Sequence, residues 1–105
     1  MNPRIEALLA HLAGKPEDRF AMYSLALEHK KAGEIETAKA AFEALLRVHP
    51  DSGAGHYQHG MLFAEAGEED AARAAWERGL TALADLRTPD ARRSRSEIQA
   101  ALDGL

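Results

Sequence analysis

Cysteine is absent from the 105 residues, which excludes disulfides, thiolate metal sites, cysteine nucleophiles and iron–sulfur clusters. Strand-forming residues are nearly as scarce. The β-branched side chains are Ile5, Ile35, Ile98, Val48, Thr37, Thr81 and Thr88, and only six residues are aromatic, so little in the chain favours a sheet. No apolar run approaches the length of a membrane span, and the first twenty residues carry charges at Arg4, Glu6, Lys15, Glu17, Asp18 and Arg19 without a secretory pattern. The expectation is a soluble, cytoplasmic protein with no membrane partner. Positive charge is not in excess either: 13 Lys and Arg stand against 17 Asp and Glu, a formal charge of −4, which argues against a nucleic-acid partner.

What the chain has in quantity is alanine and leucine, 22 and 13 residues, a third of the total. Both lose little on entering a helix, and small alanines let helices approach closely. The composition therefore predicts an all-α fold with a tight core.

Capping and breaking residues divide the chain into about six helices. Asn2-Pro3 starts the first, over 3–13, with Ile5, Leu8, Leu9 and Leu12 on one face and Gly14 and Pro16 beyond it. Asp18 caps a second that leaves through Gly33, and a third runs from about Glu34 to His49, stopped by Pro50. Ser52 caps a fourth, ending at Gly67; a fifth starts at the acidic run Glu68, Glu69, Asp70 and extends to about Leu86. Thr88-Pro89 opens a sixth, which aligns Ala91, Ile98, Ala101 and Leu102.

The middle of the chain repeats itself. Residues 20–50 laid on 54–84 pair Tyr23 with Tyr57, Gly33 with Gly67, Ala38 with Ala72 and Leu46 with Leu80, among nine identities in 31 positions, where composition alone gives about three. Phe42 falls on Trp76, Lys39 on Arg73, and the cap Asp18 on the cap Ser52. A helix–turn–helix unit is duplicated. One such pair cannot bury its apolar face alone, so neighbours must stack and the ends need covering helices. Ala26, Gly60, Ala38 and Ala72 are the expected points of close approach, with Phe42 and Trp76 filling the space beside them.

The unit resembles the tetratricopeptide repeat, an antiparallel helix pair of roughly this length with large and small residues at fixed offsets. Residues 19–52 match through Met22, Leu25-Ala26, His29, Ala38, Phe42, Leu45 and Pro50; residues 53–86 match through His56, His59-Gly60, Phe63, Ala72, Trp76 and Gly79. Ala84 stands where the second closing proline would be. Helix 3–13 resembles the second half of a preceding repeat, and helix 89–103 a solvating end helix. The resemblance implies one domain over 1–105, a right-handed superhelical stack, and a shallow concave face lined by the first helix of each pair. On that face it places Phe20, Tyr23, Leu27, Lys30 and Lys31 from the first repeat, and Ala54, Tyr57, Met61, Ala64 and Glu65 from the second.

The implied function is a non-enzymatic protein-interaction module or scaffold holding a peptide or a partner's helix. Tyrosines at equivalent positions suit such a groove, and suit equally well a packing role between helices. The alternative is a structural protein that self-associates as a homodimer or larger oligomer; a remoter one is an accessory subunit of an enzyme. Some family members clamp a terminal carboxylate with Lys and Asn, but Tyr23, Leu27, Gln58 and Met61 occupy the relevant places, so a chaperone-tail clamp is not expected.

Chemistry-bearing constellations are lacking. His56 and His59 lie three apart, with His29, His49 and His11 elsewhere, but they fill core positions of the repeat and form no His-Glu-x-x-His arrangement. No metal or cofactor is expected. Ser24, Ser52, Ser94 and Ser96 sit in no nucleophile elbow. The basic run Arg87, Arg92, Arg93, Arg95 is read as the solvated side of the end helix, and Glu65, Glu68, Glu69 and Asp70 as an acidic patch of opposite sign.

Overall fold

A computed structural model describes residues 2–105. Among them there are six α-helices and no strand: α1 (Pro3–Gly14), α2 (Arg19–Lys31), α3 (Ile35–Val48), α4 (Gly53–Glu65), α5 (Glu69–Leu83) and α6 (Pro89–Asp103). Four of them begin at the caps expected from local sequence. Asn2, Asp18, Ser52 and Thr88 each turn a side-chain oxygen onto backbone N–H groups of the first turn, satisfying donors that have no partner inside the helix. α3 and α5 start one residue later than expected: Glu34 and Glu68 hold the N-cap position, and their carboxylates do not cap the first turn. Gly33 and Gly67 make the preceding turns at φ +79 and +78, a backbone conformation open to glycine.

The helices gather into two compact units, Met1–His49 and Pro50–Leu105. In unit 1, α2 pairs with α1 on one side and α3 on the other. Arg4 reaches Glu28 at 3.6 Å while His11 reaches Asp18 at 2.6 Å, so α1 and α2 run antiparallel. Tyr23 meets Phe42 edge-on at 6.1 Å between ring centroids and His29 meets Glu34 at 2.8 Å, so α2 and α3 run antiparallel as well. Ile5, Ala21, Ala26, Ala38, Phe42 and Leu45 are buried.

In unit 2, α4 and α5 form the equivalent antiparallel pair, and α6 packs on both. Its core is Ala72, Trp76, Leu83 and Ile98, with Tyr57, Met61, Leu80 and Leu102 partly buried against it. Gly60 lies so close to the Trp76 indole that a methyl group there would overlap the ring, and a methyl group at Gly79 would crowd the His56 Cβ at 2.8 Å. The Trp76 indole N–H donates to the Tyr57 carbonyl at 3.1 Å, satisfying the one polar atom the ring brings into the core.

α5 ends at Leu83, short of the Leu86 read from sequence. The Arg95 guanidinium, reaching back from α6, donates to the Leu83 carbonyl at 2.5 Å and the Leu86 carbonyl at 2.8 Å. This arginine belongs to the run read as solvated, and it instead caps the carbonyl end of α5. Arg93 pairs with Asp90 at 3.7 Å on the exposed side.

Candidate protein-interaction face

Helical spacing sets Phe20, Tyr23, Leu27 and the pair Lys30 and Lys31 along one stripe of α2. Its members are not equally accessible. Phe20, in the first turn, is 78% exposed. Its backbone N–H is held by Asp18 Oδ1 at 3.1 Å, so the ring is presented from a fixed helix start. Tyr23 is half-buried with one edge on Phe42, and Leu27 and Lys30 are half-buried too. Lys31 is exposed and pairs with Glu28 at 3.6 Å.

The equivalent stripe of α4 carries Ala54, Tyr57, Met61, Ala64 and Glu65. Ala54 and Glu65 are exposed; Tyr57, Met61 and Ala64 pack in part against the Trp76 core. The two tyrosines thus share an environment as well as a register: each gives part of its ring to its own helix pair and part to the surface. The outlying aromatic is Phe20, whose counterpart Ala54 brings no ring.

The histidines have roles that sequence reading missed. His11 bonds the α2 cap Asp18, His29 bonds Glu34 at the head of α3, and His49 Nε2 donates to the Glu17 carbonyl at 2.7 Å. Each closes a turn of unit 1. The His11 hydrogen bond, helped by the backbone N–H of Ala21, holds the Asp18 carboxyl below its ordinary range. In unit 2, His56 and His59 are buried; His56 Nε2 donates to the Pro50 carbonyl at 2.8 Å, and His59 stands edge-on to Phe63. Burial pushes His56 below the usual imidazole range and the Arg78 charge adds to this, against the opposing effect of the Pro50 hydrogen bond. Among the described residues no three His, Asp or Glu side chains converge as a metal-holding group, and no helix is long and apolar enough to cross a membrane.

Antiparallel helix pairs repeated in register, each keyed by a small residue beside a large ring, define an α-helical repeat protein. Residues 20–52 match the family model of the tetratricopeptide repeat. The solution structure of a tetratricopeptide repeat domain protein from Salinibacter ruber is similar at 31% identity and a TM-score of 0.72, over 85% of this chain and 87% of that one. A crystal structure of the tetratricopeptide repeat domain protein from the same organism gives 31% identity and a TM-score of 0.70, over 84% and 98%. No curated protein matches the chain. The chain belongs to the tetratricopeptide repeat family, whose members are typically non-catalytic protein-interaction modules.

Proposed function

We propose that the protein is a non-enzymatic cytoplasmic scaffold that holds a peptide segment or helix of another protein against Phe20, Tyr23, Leu27, Lys30 and Lys31 of unit 1 and, at the equivalent stripe, Tyr57, Met61 and Glu65 of unit 2. The observation that carries this reading is Phe20. An aromatic ring 78% in water, fixed by a capped helix start and continued by Tyr23 and Leu27, gains by being covered. Its removal leaves no cavity, so it separates binding from folding better than either tyrosine does.

The test is affinity capture from the native extract with wild type beside Phe20→Ala, the captured proteins being quantified by mass spectrometry. Capture of the specific partner should fall at least about tenfold, as expected for loss of an aromatic anchor, with the thermal midpoint unchanged. Undiminished capture by Phe20→Ala refutes the assignment of this face. A self-associating protein is the second reading, favoured by Leu9, 47% exposed on α1; a sedimentation mass of one chain at high protein concentration refutes it.

A further inference from the structure

Unit 1 and unit 2 place their imidazoles in opposite settings. In unit 1 every histidine faces an oxygen near solvent: Asp18 Oδ2 for His11, Glu34 Oε1 for His29, the Glu17 carbonyl for His49. A protonated ring has two N–H donors, so each of these bonds survives protonation. Elsewhere in unit 1, Arg4 of α1 pairs with Glu28 of α2 at 3.6 Å and Lys39 with Glu36 on α3 at 3.5 Å.

His56 is placed otherwise. The residue is 7% exposed, and its Nε2–H donates to the Pro50 carbonyl, so Nδ1 is the atom that would receive a second proton. Its Cβ and Cγ occupy the space that a side chain at Gly79 of α5 would need, and Ile98 of α6 borders the same space. The charge facing it is the Arg78 cation of α5. α6 contributes the apolar Ile98, the exposed Asp51 lies on the segment leading into α4, and His59 sits one turn further along the same helix.

We propose that His56 is an acid-released latch: a proton at Nδ1 sets a charge and a second N–H donor inside the α5–α6 core beside the Arg78 cation. Although the Nε2–H bond to Pro50 alone would survive, the charged ring leaves the core for water, loosening the start of α4 and unit 2 while unit 1 holds. Burial and the Arg78 charge keep the folded-state imidazole below its ordinary value of 6.5. The unfolded chain therefore takes up this proton first. Stability is full above about pH 6.5 and falls as the pH drops below it, until the folded-state value is reached.

Trp76 is the one tryptophan of the chain, and its buried indole reports on unit 2 alone. The test is thermal unfolding of the full chain by Trp76 fluorescence at pH 7.5 and 5.5, with amide hydrogen exchange resolved by helix and an NMR titration of the imidazole rings. The wild-type midpoint should fall by roughly 5 °C in acid, with protection lost in α4 and α5 before α2 and α3. In His56→Gln, which has no proton to gain, the fall should shrink to less than half. Equal midpoints at the two pH values overturn the proposal. So does a His56→Gln variant that keeps the full fall, or protection lost equally from both units. If His56→Gln does not fold, the wild-type titration decides: a His56 ring that charges at or above the ordinary imidazole value of 6.5 overturns the latch, and one that charges only below it supports it.

Discussion

Ala26 and Gly60 occupy the same place in the two helix pairs and differ by one methyl group. Both are fully or almost fully buried. The rings at matching positions of the facing helices differ in the opposite sense, Phe42 in unit 1 and Trp76 in unit 2. Where the ring is phenyl the chain keeps a methyl group; where it is indole the methyl group is gone, because a Cβ at 60 would fall inside the ring. The two pairs follow one packing rule at two settings. Volume is conserved across the pair of positions, since interiors packed at crystal-like density tolerate neither surplus nor void.

That rule can be broken directly, and the effect should be the largest in the molecule. Gly60→Val forces the indole and the α4 backbone apart and should cost about 3 kcal/mol, read as a fall in the urea midpoint. Gly60→Ala should cost about 2 kcal/mol even though alanine is the better helix former by about 1 kcal/mol. The sharper form is the double variant Gly60→Ala with Trp76→Phe, which gives unit 2 the residues of unit 1 at both positions. A coupling energy of at least about 1 kcal/mol is expected in favour of the double variant. Strict additivity would show that the two positions do not share a volume.

A second difference lies in how the units close their turns. Unit 1 uses imidazoles on carboxylates and a carbonyl; unit 2 closes the end of α5 with the half-buried Arg95, whose charge does not depend on pH in any accessible range. Hydrogen bonds from a charged donor are the stronger kind. Arg95→Ala should therefore cost about 2 kcal/mol by urea unfolding. Arg95→Lys should recover part of it, since one ammonium cannot reproduce the guanidinium fork across two carbonyls. A cost below about 0.5 kcal/mol for Arg95→Ala would place Arg95 with the ordinary surface cations.

These two cases also separate what the sequence disclosed from what it hid. The helix starts were legible because a cap acts within three residues of itself: Asp18 on Phe20 and Ala21, Ser52 on Gly55, Thr88 on Ala91. The Gly60–Trp76 relation was legible because the repeat lays it over Ala26 and Phe42. Arg95 was not, because its partners lie nine and twelve residues back across a turn, and only tertiary placement distinguishes it from Arg92 and Arg93. The register of the candidate face followed from the family resemblance, and its accessibility did not. The resemblance placed Phe20, Tyr23 and Tyr57 on equivalent faces, yet the exposure of the tyrosines depends on Phe42 and on the Trp76 core, which periodicity along one helix does not describe.

The smallest expected difference lies between the equivalent caps Asp18 and Ser52. Ser52 is buried and neutral, and its Oγ accepts from Gly55 N–H at 3.2 Å. Ser52→Ala should cost about 1 kcal/mol at every pH. Asp18 is ionised, and His11 and the N–H groups of Ala21 and Phe20 hold its carboxyl below the ordinary 3.8. A carboxyl shifted down in the folded state contributes stability that is present above the unfolded value and is lost as the pH falls through the folded one. Acid below about pH 4 should therefore remove the charged cap of α2, whereas the Ser52 hydroxyl that caps α4 has no proton to gain. Asp18→Ser gives unit 1 the neutral cap of unit 2. Between about pH 5 and pH 3 its unfolding midpoint should decline less than that of wild type. An equal decline in both would mean that the His11 bond to Asp18 carries no weight in the acid response, and that the two caps differ in name only.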